Sequence, residues 1–104
     1  MSVERIAALK QFIEQRPDDP FPRYALALEH KGAGELERAA EAFRDLVTRA
    51  PAYVPTYLQF GMILEQLGRI EEARTLLTEG VEQARRAGNT HALGEIQGVL
   101  SGLD

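Results

Sequence analysis

His91 and Glu95 lie four residues apart, a spacing that on a helix puts an imidazole and a carboxylate on one face, where they could share a metal ion or a proton. Two ligands do not make a zinc site, which takes three or four protein donors. The chain has no Cys, and its second His, His30, lies near a predicted helix C-terminus, where positive charge is favourable and suffices to explain it. The pair therefore reads as two exposed surface residues. None of the hydroxyls of Ser2, Thr48, Thr56, Thr75, Thr78, Thr90 and Ser101 is flanked by a recognisable base or a nucleophile-elbow glycine pattern. Gly32-Ala33-Gly34 is too short for a phosphate loop and lacks a following Lys-Ser or Lys-Thr. Glu37 with Glu41, Glu41 with Asp45, and Arg38 with Asp45 lie on neighbouring turns and read as a solvated helix face, not a catalytic carboxylate pair. No catalytic residue, metal site or cofactor is implied, and the expectation is a protein that is not an enzyme.

Composition narrows the alternatives. The 104 residues, 44% hydrophobic and 27% charged, fit one soluble globular domain with a sizeable core. Without Cys the fold must hold by packing alone, which is compatible with a reducing cytoplasm, the expected location. A net charge of −4, with basic residues scattered among acids, leaves no basic stripe for a phosphate backbone, so nucleic acid is not an expected partner. The opening Met1-Ser2-Val3-Glu4-Arg5-Ile6 has no uninterrupted apolar run, so neither a secretory signal nor a membrane span is expected.

Apolar residues recur at helical spacing almost throughout, and turn signals divide the pattern into six segments. The first, about Val3 to Gln15, is expected to bury Ile6, Leu9, Phe12 and Ile13, with Ser2 as N-cap and Pro17 as the stop. Asp19 followed by Pro20 starts the second, to about Lys31, because the carboxylate accepts orphan amide bonds and Pro has none to lose. The third, Glu35 to Arg49, has the apolar stripe Leu36, Ala39, Ala40, Phe43, Leu46 and Val47. The fourth covers about Val54 to Leu67 and the fifth about Arg69 to Ala87. Gly88-Asn89 then precedes a sixth, Thr90 to about Leu103, with Leu93, Ile96, Leu100 and Leu103 on one face. Gly94, Gly98 and Gly102 weaken this last helix by about 1 kcal/mol each relative to Ala.

What organises these elements is self-similarity at a spacing of 34 residues: Ala27 over Gly61, Gly34 over Gly68, Ala39 over Ala73, Phe43 over Leu77. A fixed period of this length marks units that stack to share a core. Tyr24-Ala25-Leu26-Ala27, Gly34, Ala39, Phe43 and Pro51, then Tyr57-Leu58-Gln59-Phe60-Gly61, Gly68, Ala73 and Leu77, resemble two consecutive tetratricopeptide repeats. The resemblance covers residues 20 to about 87. It implies an all-α fold of about six helices, antiparallel pairs stacked as a short right-handed solenoid. The chain would be a single domain: an N-terminal half-repeat helix (1–17), repeat 1 (20–53), repeat 2 (54–87) and a C-terminal capping helix (88–104). Small Ala27 and Gly61 would face Ala39 and Ala73, letting paired backbones approach closely. Leu9 and Phe12 lie 34 residues before Phe43 and Leu46, so the opening helix resembles the second helix of a repeat. At the other end Phe60-Gly61 recurs as Leu93-Gly94 at a spacing of 33, but Met62 finds Ile96 at 34, which leaves the last register open. Arg85 stands where the family pattern favours Pro, so the fifth helix should run longer than its counterpart.

The resemblance also implies a use. In this family the first helix of each pair lines a concave groove that receives a peptide or helix of another protein. The positions that match are Phe21, Tyr24, Leu28 and Lys31, then Leu58, Met62 and Glu65, with Ile96 joining from the last helix. The patch is mainly apolar, with charges at its edge. Two repeats of such a surface imply micromolar affinity, on the order of −8 kcal/mol after ordering and association costs. The family's clamp for acidic chaperone tails needs Lys, Asn and Arg at set places. Here Tyr24, Leu28 and Gln59 occupy three of them, and residues 87–104 contain no Lys or Arg, so that partner class is not expected. The expectation is a non-catalytic module for a protein or peptide partner. The alternative is a self-assembling protein, a homodimer through the groove or terminal helices, with no separate peptide ligand.

Overall fold

Prolines and glycines punctuate the chain where the helices break. In the computed structural model, which describes residues 3–103, the helices are α1 (Val3–Gln15), α2 (Pro20–Gly32), α3 (Leu36–Arg49), α4 (Pro55–Gln66), α5 (Ile70–Arg86) and α6 (Thr90–Ser101). There is no strand among the described residues. Asp19 caps α2 as expected, its side chain accepting from the Phe21 amide at 3.1 Å, and Asn89 caps α6 by accepting from the Ala92 amide at 3.0 Å. The expected cap Ser2 lies outside the described residues. α2, α4 and α5 each end on the same device. Gly34, Gly68 and Gly88 take φ of 77°, 77° and 67°, and the following amide reaches back to close the turn, as Glu35 does to the His30 carbonyl at 2.9 Å.

The chain divides into two compact units, one through Ala50 and one from Pro51. In the first, α2 packs against α3 and α1 against α2. The ion pair between Arg5 and Glu29, 2.6 Å, joins the start of α1 to the end of α2, so the two run antiparallel. Arg23 near the start of α2 likewise approaches Asp45 near the end of α3, at 3.7 Å. Ala27, Ala39, Ala40, Phe43 and Leu46 are fully buried, and the Tyr24 ring tilts against Phe43 with centroids 6.0 Å apart. α1 departs from expectation. Ile6, Leu9 and Ile13 are only half-buried, and Phe12 is 49% exposed, because α2, the helix against which α1 packs, covers one side of the stripe and leaves Phe12 in solvent.

In the second unit α4 pairs antiparallel with α5, and α6 packs on both. Tyr57, Ile63, Leu64, Ala73, Leu77 and Ala84 are wholly inaccessible, with Phe60, Ile96 and Leu103 nearly so. Gly61 is needed where it stands, although its close neighbour is Leu77 and not Ala73: a Cβ there would lie 2.7 Å from Leu77 Cγ. One turn further along, Gly80 admits Tyr57, whose Cβ would be 2.6 Å from an added methyl. α5 is three residues longer than α3, 17 against 14, in line with the missing Pro at Arg85. Burial also fixes the register of α6. Ile96, 1% exposed, matches Ile63 at a spacing of 33, not half-exposed Met62 at 34. At 33 the buried Tyr57, Gly61 and Leu64 become Thr90, Gly94 and Gln97, all exposed. The outer face of α6 is thus polar and small where α4 carries its pairing face, which suits a helix that ends the unit.

Candidate functional site

The residues with chemical potential stay apart. His91 Nε2 lies 3.3 Å from Glu95 Oε1, but the imidazole is 87% exposed and no further donor joins it. Among the described residues no group of three or more His, Asp or Glu side chains is placed to hold a metal ion. His30 Nδ1 lies 3.2 Å from Glu35 Oε1, and its carbonyl accepts the Glu35 amide, so the pair closes the α2–α3 turn from both sides. The one clearly perturbed group is structural. Burial first, and the Glu79 carboxylate second, push the Tyr57 phenol from 10.0 up to about 12, while its hydroxyl donates to the Pro51 carbonyl at 2.6 Å.

The first helix of each pair offers surface instead. On α2, Phe21, Tyr24, Leu28 and Lys31 follow at i, i+3, i+7 and i+10 and share one face; Phe21 is 60% exposed and the others are half-buried. On α4, Leu58 and Met62 are half-buried and Glu65 exposed, again on one face. Each face is backed by fully buried neighbours, Ala27 on α2 and Tyr57 and Gly61 on α4, so its position is fixed by packing. Ile96 does not belong with them. The spacing of 34 puts it on this face, but it is 1% exposed and lies in the core, as the register of 33 with buried Ile63 requires.

Sequence reasoning missed a cleft of about 220 Å³ at one end of the first unit, lined by residues 17–20 with Arg23, Leu46, Arg49 and Ala50. Its arginines are already engaged. Arg49 Nε meets Asp45 at 2.8 Å, and Arg23 donates to the Pro17 carbonyl at 3.4 Å. With Asp18 and Asp19 in its wall it has no surplus positive charge to offer an anion. The i, i+4 pair of Asp45 and Arg49 is the visible part of this signal; its closure by Arg23 depends on the fold.

Three comparisons bear on the pattern of paired helices. Residues 31–93, more than half the chain, match the tetratricopeptide repeat family. The chain belongs to the tetratricopeptide repeat family. It is similar to a tetratricopeptide repeat domain protein from Salinibacter ruber, with 39% identity and a TM-score of 0.79 over 85% of this chain and 89% of that one. A protein from Bordetella parapertussis, BPP2914, shares the fold at a TM-score of 0.80 and 20% identity, covering 99% of this chain and 88% of that one. Protein DIA2 from Eremothecium gossypii is 32% identical over 77 residues. That match takes in 69% of this chain but spans 11% of the curated relative's length. Tetratricopeptide repeats are in general non-catalytic protein-interaction modules, and the helical repeat fold of this chain is theirs. Among the described residues no helix is long and apolar enough to cross a membrane.

Proposed function

We propose that this tetratricopeptide repeat chain is a scaffold that takes up a peptide segment or helix of another protein on the first-helix faces of its two repeats. Phe21, Tyr24, Leu28 and Lys31 would meet the partner from α2, and Leu58, Met62 and Glu65 from α4. The observation that carries this reading is the α4 face. Leu58 and Met62 lie one turn apart on a helix whose other sides are filled with buried residues, yet both remain accessible, so their apolar surface is still available to be covered. Covering an apolar side chain of this size fully contributes about 1.5–3 kcal/mol, and Met adapts its shape to the segment it meets.

The test is capture of native-cell protein on immobilised wild-type chain beside a variant combining Leu58→Glu with Met62→Glu. Helical content and melting midpoint should stay nearly unchanged, because both side chains are half-exposed, while proteins retained by the wild type should be lost. Equal retention by a folded double variant would remove α4 from the binding surface.

A further inference from the structure

We infer that the partner segment taken up on α4 is basic: beside an apolar side chain laid over Leu58 and Met62 it carries a lysine or arginine that meets Glu65 of α4 and Glu95 of α6. This rests on the reading of the α4 face as a binding surface. α4, α5 and α6 belong to one compact unit. Arg74 near the start of α5 donates to the Leu103 carbonyl just past the end of α6, at 3.5 Å, so α6 runs antiparallel to α5. It therefore lies alongside α4 in the same direction, and the two are in contact. The register of 33 that matches Ile96 to Ile63 carries Leu58 to His91 and Met62 to Glu95. The row of Leu58, Met62 and Glu65 is thus continued on the neighbouring helix by His91 and Glu95, both exposed. The pair that makes no metal site stands beside the apolar face.

Charge decides the occupant. α4 and α6 contain neither Lys nor Arg, and their carboxylates are Glu65 and Glu95. The Glu65 side chain has no ion pair among the described residues, and Glu95 has exposed His91 alone, 3.3 Å from one of its oxygens. Glu65 also sits in the last turn of α4, where the helix end is itself negative. α2, α3 and α5 place Lys31, Arg49 and Arg86 in that turn, whereas α4 places no base there. A cationic side chain from outside answers both carboxylates and the helix end together, and an acidic segment is repelled by all three. Lysine and arginine suit the place doubly, because their apolar stems can lie along Leu58 and Met62 while the charged head reaches the glutamates.

The probe is a phage-displayed library of random dodecapeptides, selected on the immobilised 104-residue chain. Retained sequences should combine an apolar residue with a nearby Lys or Arg. On a variant combining Glu65→Lys with Glu95→Lys the preference should turn to Asp and Glu, and Glu65→Gln with Glu95→Gln should abolish it in either direction. Both glutamates are exposed, so far-UV circular dichroism of each variant should match the wild type. A peptide synthesised from the wild-type selection should bind the lysine variant about tenfold or more weakly in fluorescence anisotropy, a difference that shrinks as salt is raised. Apolar sequences without a charge preference, or the same basic preference on the lysine variant, would overturn this inference and leave the α4 face standing. Loss of all selection, or a selected peptide indifferent to Leu58→Glu with Met62→Glu, would overturn the binding surface and this inference with it. A second copy of the chain covering the face would give loss of selection.

Discussion

Gly80 and Gly98 both sit inside helices, and the same added methyl should act on them in opposite directions. At Gly98 nothing lies within 4 Å of a Cβ, so Gly98→Ala should gain most of the helix-propensity difference, about 0.5–1 kcal/mol. At Gly80 the methyl would stand 2.6 Å from Tyr57 Cβ and 2.9 Å from Cγ. Tyr57 cannot retreat, since it is fully buried and its hydroxyl is tied to the Pro51 carbonyl. Overpacking of this kind costs about 1–3 kcal/mol and should outweigh the propensity gain. Urea titration should therefore move the two midpoints apart; a shift of both in one direction would show that the α4–α5 approach is looser than described. The same tyrosine gives a pH signature. Its phenol titrates at about 12 in the folded chain against 10.0 in the unfolded one, so between those values the unfolded state has lost a proton that the folded state keeps. Stability from this group is thus lost as pH climbs from about 10 to 12 and levels off above. Tyr57→Phe should cost about 1 kcal/mol at neutral pH through the missing hydrogen bond, yet show a flatter decline over that alkaline window in thermal melts.

At the scale of the elements, what could be read in the chain was punctuation and period. Asp19-Pro20, Gly34, Gly68 and Gly88 fixed the helix ends to within a residue or two, because each acts locally through a cap or a positive φ. The stripe of α3 was equally plain, and its Ala39, Phe43 and Leu46 are buried, as are Ala73 and Leu77, which the 34-residue spacing places over Ala39 and Phe43. Whether a stripe finds enough neighbours is a tertiary property. α1 has the right period and still leaves Phe12 half in water. α6 shows another limit. Leu93-Gly94 and Ile96 pointed to registers one residue apart, and the burial of Ile96 was needed to choose between them. The Tyr57–Gly80 contact lay hidden for a third reason. Its counterparts 34 residues earlier are Arg23 and Leu46, so the two repeats exchange which partner is large, and positions compared one at a time do not show it. The faces proposed for binding, from Phe21 through Glu65, came from the resemblance to the repeat family, while the loss of Ile96 followed from the one-residue register error.

For the molecule as a whole, burial is uneven along the chain and should appear as uneven protection of the backbone. α4 and α5 hold most of the wholly inaccessible side chains, among them Tyr57, Ile63, Leu64, Ala73 and Leu77, and the Tyr57–Gly80 contact locks their pairing. α1 buries no residue fully and is tied to its neighbour by an ion pair whose Arg5 side chain is 66% exposed, a link worth little in water. In a repeat protein, where each unit draws its stability from its immediate neighbours, such an end helix opens far more often than the interior. Native-state hydrogen exchange should therefore find the amides of Ile63, Leu64 and Leu77 slowest, at rates set by global unfolding. Those of Leu9 to Ile13 should exchange orders of magnitude faster, with α6 between them because Gly94 and Gly98 loosen a helix that Ile96 and Leu103 anchor. Protection of α1 equal to that of α4 would mean that its outer face is covered, contrary to the exposure of Phe12.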